Sequence, residues 1–76
     1  MSHLRWVENL KDKPLSSKQI EILQLIADGV ISRGISIELN ISHKAVSTQR
    51  EFIYKKLDAL SGPNAVAIGI RKGIIK

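Results

Sequence analysis

Residues 32–60 read SRGISIELNISHKAVSTQREFIYKKLDAL, and their spacing decides the fold. Val46, Gln49, Ile53, Leu57 and Leu60 recur at intervals of three and four, which sets them on one helical stripe with a single polar member. Ahead of them, Ser32 is a candidate N-cap, and Ile35 and Leu39 share a face, so a shorter helix is expected there. Asn40-Ile41-Ser42 breaks the pattern between the two. Asn40 suits a turn, and Ser42 is the next N-cap. A connection this short allows a helix-turn-helix and excludes a long return. With the stripe facing inward, Lys44, Ser47, Thr48, Glu51 and Lys55 fall on the outer face of a helix expected over about 43–59. That face carries short hydrogen-bonding groups, a carboxylate and two ammonium groups, and no large aliphatic. The second helix of such a pair usually enters a major groove with its N-terminal residues facing the bases, and its unpaired N–H groups favour a phosphate.

Upstream, Leu15-Ser16-Ser17-Lys18-Gln19-Ile20 is a helix start. Ser16 and Gln19 have capping-box spacing, and Leu15 and Ile20 occupy the positions of a hydrophobic staple. Ile20, Ile22, Leu23, Ile26 and Ala27 continue the period until Gly29, a residue suited to a left-handed cap, so the first helix should span about 17–28. Downstream, Ser61-Gly62-Pro63-Asn64 forms a turn, with Pro63 in the first turn of a fourth helix that ends at Gly73. On that helix Ala65, Val66, Gly69 and Ile70 are expected to cover the core. Asn64, Ala67, Ile68 and Arg71 make the opposite stripe, exposed, partly apolar and centred on Ile68, and are the candidates for a two-fold contact with a second copy. Residues 1–14 form an N-terminal arm or short helix with an apolar trio, Leu4, Val7 and Leu10, and residues 15–76 form the domain.

Seventy-six residues make one domain near the lower size limit for an unaided core. With no cysteine, disulfides and thiolate metal sites are excluded; with 43% hydrophobic residues, aliphatic packing has to supply the stability. Twelve Lys and Arg against seven Asp and Glu leave a net charge of +5, which favours a polyanionic partner through counterion release. The start Met1-Ser2-His3-Leu4 is no signal peptide, and no apolar run approaches the ~18–20 residues that span a bilayer. A cytoplasmic, bacterial setting without membrane contact is therefore expected.

Taken together, residues 15–75 resemble, without gaps, the LuxR/FixJ-type (GerE-like) helix-turn-helix domain of bacterial transcription regulators. The match runs through Leu15-Ser16-Ser17-Lys18-Gln19, Glu21-Ile22-Leu23 and Ala27-x-Gly29. It continues with Arg33-x-Ile35-Ser36, Leu39-x-Ile41-Ser42, Val46, Lys56-Leu57, Ala65-Val66 and Gly73-Ile74. The resemblance implies an all-α, four-helix domain that binds double-stranded DNA as a homodimer, usually through helix four. It places Ser47, Thr48 and Glu51 where family members touch base edges. Arg33, Lys44 and Lys55 fall at phosphate-contacting positions, with Arg50 and Ser42 as further candidates. RNA polymerase or another regulator are further partners of such domains.

The chain departs from that pattern at several positions. Gly34 stands for a helix-forming polar residue, Ala45 for Thr, Ser47 for a basic residue, Gln49 for His, and Glu51 for Lys or Arg. Ile37 and Phe52 are apolar where polar residues are usual. A glutamate in the groove can accept from cytosine N4 while repelling nearby phosphates. These departures, and the fourteen residues before Leu15 that are too few for a receiver or ligand-binding domain, leave two further expectations. The chain is either a free-standing short regulator or an excised domain. An alternative function is a protein-interaction module of the same fold that binds and antagonises another regulator.

Enzyme chemistry finds no support. His3 and His43 have no Cys, Ser-His-Asp grouping or metal-ligand spacing around them, and the five glycines form no phosphate-cradling loop. No catalytic residue, metal or cofactor is expected.

Overall fold

The computed structural model describes residues 10–76, which form four helices and no strand: α1 (Ser17–Ala27), α2 (Ser32–Leu39), α3 (His43–Leu57) and α4 (Gly62–Arg71). Leu4 and Val7 of the expected arm lie outside the described residues. The segment from Leu10 to Lys13 turns back on itself, and the Asp12 N–H donates to the Lys56 carbonyl at 3.0 Å, seating it on the end of α3.

Local chemistry sets the helix boundaries. At α1 the Ser16 hydroxyl accepts from the Gln19 N–H at 3.1 Å, and Gln19 Oε1 accepts from the Ser16 N–H at 3.0 Å, completing the capping box. Ser42 caps α3 by accepting from the Ala45 N–H at 2.9 Å, and Ser61 caps α4 by accepting from the Asn64 N–H at 3.3 Å. All four helices end alike. Gly29, Asn40, Asp58 and Gly73 take φ of 89°, 55°, 54° and 73°, and the next residue's N–H returns to a carbonyl five positions earlier. This Schellman closure satisfies the last carbonyls and reverses the chain within one residue.

Several expected boundaries are corrected. Ser32 does not cap α2: Ile31 occupies the N-cap with extended backbone and no side-chain bond, and Ser32 is the first helical residue. The first helix ends at Ala27, one residue early, with Asp28 as its cap. The third helix ends at Leu57 and not near 59, because Asp58 turns left-handed. Leu60 therefore leaves the inward stripe and is 95% exposed, its N–H bonded to Asn64 Oδ1 at 2.9 Å. The fourth helix closes at Arg71, with Gly73 in the left-handed turn that follows.

The core joins Ile22 and Leu23 of α1, Ile35 of α2, Val46, Ile53 and Leu57 of α3, Ala65 of α4, and Ile75. α3 runs through the middle, packed against the other three helices. Gly69 lets α4 approach α1 closely, since a Cβ there would stand 3.0 Å from Leu23 Cδ2 and 3.1 Å from Ile75 Cγ1. That contact line, through Ala65 and Gly69, also sets the rotation of α4. Ile70, expected in the core, lies on the far side of the line and is 49% exposed. Ile68, expected as the exposed centre of the opposite stripe, is half-buried and packs against the core.

Candidate nucleic-acid interface

The outer face of α3 is held in place by what its inner face touches. Val46, Ile53 and Leu57 are buried, and the stripe's polar member, Gln49, is half-buried and paired. Its Oε1 accepts from Gln19 Nε2 at 2.9 Å; Gln19, only 5% exposed, in turn accepts from the Lys56 ammonium at 2.7 Å. Lys56 also donates to the Pro14 carbonyl at 3.1 Å. This polar seam fixes α3 against the start of α1, and no buried side-chain polar atom among the described residues lacks a partner. Gln49, a polar residue inside an apolar stripe, was the sequence signal for the seam. Gln19 and Lys56 as its other members were not legible.

On the outer face, Lys44, Ser47, Glu51 and Lys55 are exposed, and Thr48 is half-buried beside them. Arg33, on the first turn of α2, is exposed too. Ser42 is exposed at the start of α3 with its hydroxyl accepting from the helix's own backbone. The ion pairs among the described residues, Lys11–Asp58 and Lys18–Glu21, lie elsewhere. Arg33, Lys44, Lys55 and Glu51 are thus turned to solvent with their charges uncommitted.

Arg50 is placed differently from these. It is half-buried: Nη1 donates to Ser32 Oγ at 2.8 Å, and Nε and Nη2 donate to the Tyr54 hydroxyl at 3.1 and 2.9 Å. Its guanidinium also lies over the Tyr54 ring, 5.9 Å from the centroid. The four-residue spacing of Arg50 and Tyr54 on one helix was the available signal for this pairing, and the reach to Ser32 depends on how α2 packs.

On α4, Arg71 is exposed, Ala67 and Ile68 are half-buried, and Asn64 is half-buried with its side chain closing the turn after α3. No candidate metal cluster of His, Asp or Glu occurs among the described residues, and no helix there is long and apolar enough to cross a membrane.

The model of the luxR family of bacterial regulatory proteins (GerE) matches residues 13–68. The chain is similar to the uncharacterized response regulatory protein YgeK of Escherichia coli, 43% identical over 63 residues that cover 83% of this chain and 43% of that one. It is also 34% identical over 71 residues to the transcriptional regulatory protein YdfI of Bacillus subtilis, covering 93% of this chain and 33% of YdfI. The oxygen regulatory protein NreC of Staphylococcus haemolyticus is 36% identical over 63 residues, covering 83% of this chain and 29% of NreC. The chain therefore spans less than half the length of these relatives. No solved structure matches it.

Proposed function

This chain belongs to the luxR family of bacterial regulatory proteins, and we propose that it is a sequence-specific DNA-binding transcription regulator that places α3 in the major groove. One observation carries the reading. Across a turn of three residues from α2, a helix anchored on its inner face turns Lys44, Ser47, Glu51 and Lys55 to solvent together. Ser47, Thr48 and Glu51 are the base-reading residues. Glu51 accepts from cytosine N4, and the Thr48 methyl meets a thymine methyl. Arg33, Lys44 and Lys55 neutralise phosphates, and the Ser42 end of α3 brings its partial positive charge to the backbone.

The regulator works as a homodimer through α4, with half-sites roughly one helical turn apart and a near-palindromic operator. Asn64, Ala67, Ile68 and Arg71 flank that contact, and the exposure of Ile70 supports it as the apolar centre. The setting is the bacterial cytoplasm, where RNA polymerase or another regulator is a further partner. Selection of duplexes from a random pool by the purified chain tests the reading. An enriched near-palindrome is expected, and recovery of the unenriched pool would refute sequence-specific binding.

The exposed apolar residues at the cap and on the surface of α2, Ile31 at 71% and Ile37 at 73%, favour a second reading in which the same fold binds and antagonises another regulator.

A further inference from the structure

We infer that Arg50 is a positioning residue for the recognition helix, not a phosphate contact, and that it fixes how Ser47 and Glu51 meet the bases. The inference rests on the DNA-binding reading and deepens it. A guanidinium grips a phosphate through a free edge of its donor fork. Here the Nε/Nη2 edge closes on the Tyr54 hydroxyl at 3.1 and 2.9 Å, and Nη1 donates to Ser32 Oγ at 2.8 Å, so each nitrogen donates once and three of the five N–H donors are used within the domain. The guanidinium also lies within cation–π range of the Tyr54 ring, 5.9 Å from its centroid.

The residues so joined belong to three elements. Ser32 opens α2, Arg50 and Tyr54 are one turn apart on α3, and Gly62 opens α4. A Cβ at Gly62 would stand 3.1 Å from the Tyr54 hydroxyl and 3.5 Å from Arg50 Nη2, so the start of α4 closes over the clamp. Arg50 and Tyr54 also line a shallow groove with Ser32, and Ser47 and Glu51 form its remaining walls. Two of the three base-reading residues therefore rest directly beside the clamp. Ser32, the first helical residue and not the cap, directs its hydroxyl to Arg50.

The test has two arms. In the free protein, urea unfolding of Ser32→Ala, Arg50→Met and the double variant forms a cycle. The combined loss in the unfolding constant should fall roughly three- to thirtyfold short of the product of the single losses; simple multiplication of the two would overturn the clamp. On DNA, Arg50→Met, Arg50→Lys and Tyr54→Phe are compared with the unaltered chain across a salt series. The ratio of specific to non-specific affinity is expected to fall roughly tenfold in all three, with the salt slope unchanged. A phosphate contact would instead make the slope of Arg50→Met shallower by about 0.9 per copy, about 2 per dimer, spare that of Arg50→Lys and leave the ratio intact. That outcome overturns the inference. Failure of the unaltered chain to bind any duplex would sink the regulator reading itself and this role with it, while the cycle would still report on the clamp.

Discussion

Replacing Ile31 with Thr should stabilise the domain. Ile31 stands at the N-cap of α2 with φ −74° and ψ 163°, the geometry from which a hydroxyl reaches the N–H of the third helical residue, here Gly34. The isoleucine offers no acceptor, the first turn contains no acidic residue, and Gly34 adds backbone entropy to the cost of ordering it. A side-chain cap contributes about 1 kcal/mol, within a range of roughly 0.5–2. Against this stands the apolar burial given up. Ile31 is 71% exposed, so under a third of the ~1.5–3 kcal/mol for a fully buried aliphatic is at stake, and threonine keeps part of it. The net gain expected is about 0.5–1 kcal/mol, which in a domain of this size raises Tm by roughly 2–8 °C. Ile31→Ala is the control, because it gives up the same contacts without supplying a cap. Thermal and urea unfolding of the three proteins at one pH measure the difference. Should Thr be no more stable than Ala at this position, the missing hydroxyl is not what weakens α2 and the reasoning fails.

Gly34→Ala should fail to deliver the roughly 0.5–1 kcal/mol that helix propensity promises, because a Cβ at 34 would lie 2.8 Å from Val30 Cγ1; a clear rise in urea midpoint would refute that contact. Ile70→Glu should leave helicity and Tm nearly unchanged while abolishing cooperative binding to a full site, whereas Ile68→Glu should cost about 1–3 kcal/mol of monomer stability. Equal effects of the two in circular dichroism and in gel shifts would place the rotation of α4 elsewhere. Glu51→Ala should relax selection at one base position and raise non-specific affinity by removing a charge that repels phosphate; an unchanged selected motif would remove Glu51 from base reading.

The periodic parts of the molecule were legible in the sequence. Val46, Ile53 and Leu57 repeat at helical spacing and are buried together. The Ser16–Gln19 box, Gly29, Asn40 and Ser42 act locally, through their own backbone, and sit where their chemistry places them. The readings that failed depend on groups far apart in the chain. Ser32 has a hydroxyl that suits a cap, yet the N-cap falls one residue earlier at Ile31, and the Ser32 hydroxyl accepts from Arg50, eighteen residues on. Leu60 continues the spacing of α3 on paper, but a left-handed aspartate two residues earlier ends the helix. The rotation of α4 is not fixed by its composition, since Val66, Ile68 and Ile70 are equally apolar and only the approach of Leu23 and Ile75 to Gly69 decides between them. The outward residues of α3 were correctly placed on one face, since an inward stripe fixes its opposite. The sequence could not say that Arg50, a further phosphate candidate, is engaged by Ser32 and Tyr54.

The central claim is that α3 docks on DNA through a small set of uncommitted cations. Equilibrium binding of the purified chain to its selected duplex, measured between 50 and 200 mM salt, tests it most directly. With Arg33, Lys44 and Lys55 from each of two copies on phosphates, the logarithm of the binding constant should fall linearly against the logarithm of salt. The expected slope is about −5, so affinity should drop roughly a thousandfold over that range. Lys44→Ala should make the slope shallower by about 2 per dimer and weaken all duplexes alike. A binding constant that scarcely changes between the two salt concentrations would contradict the account.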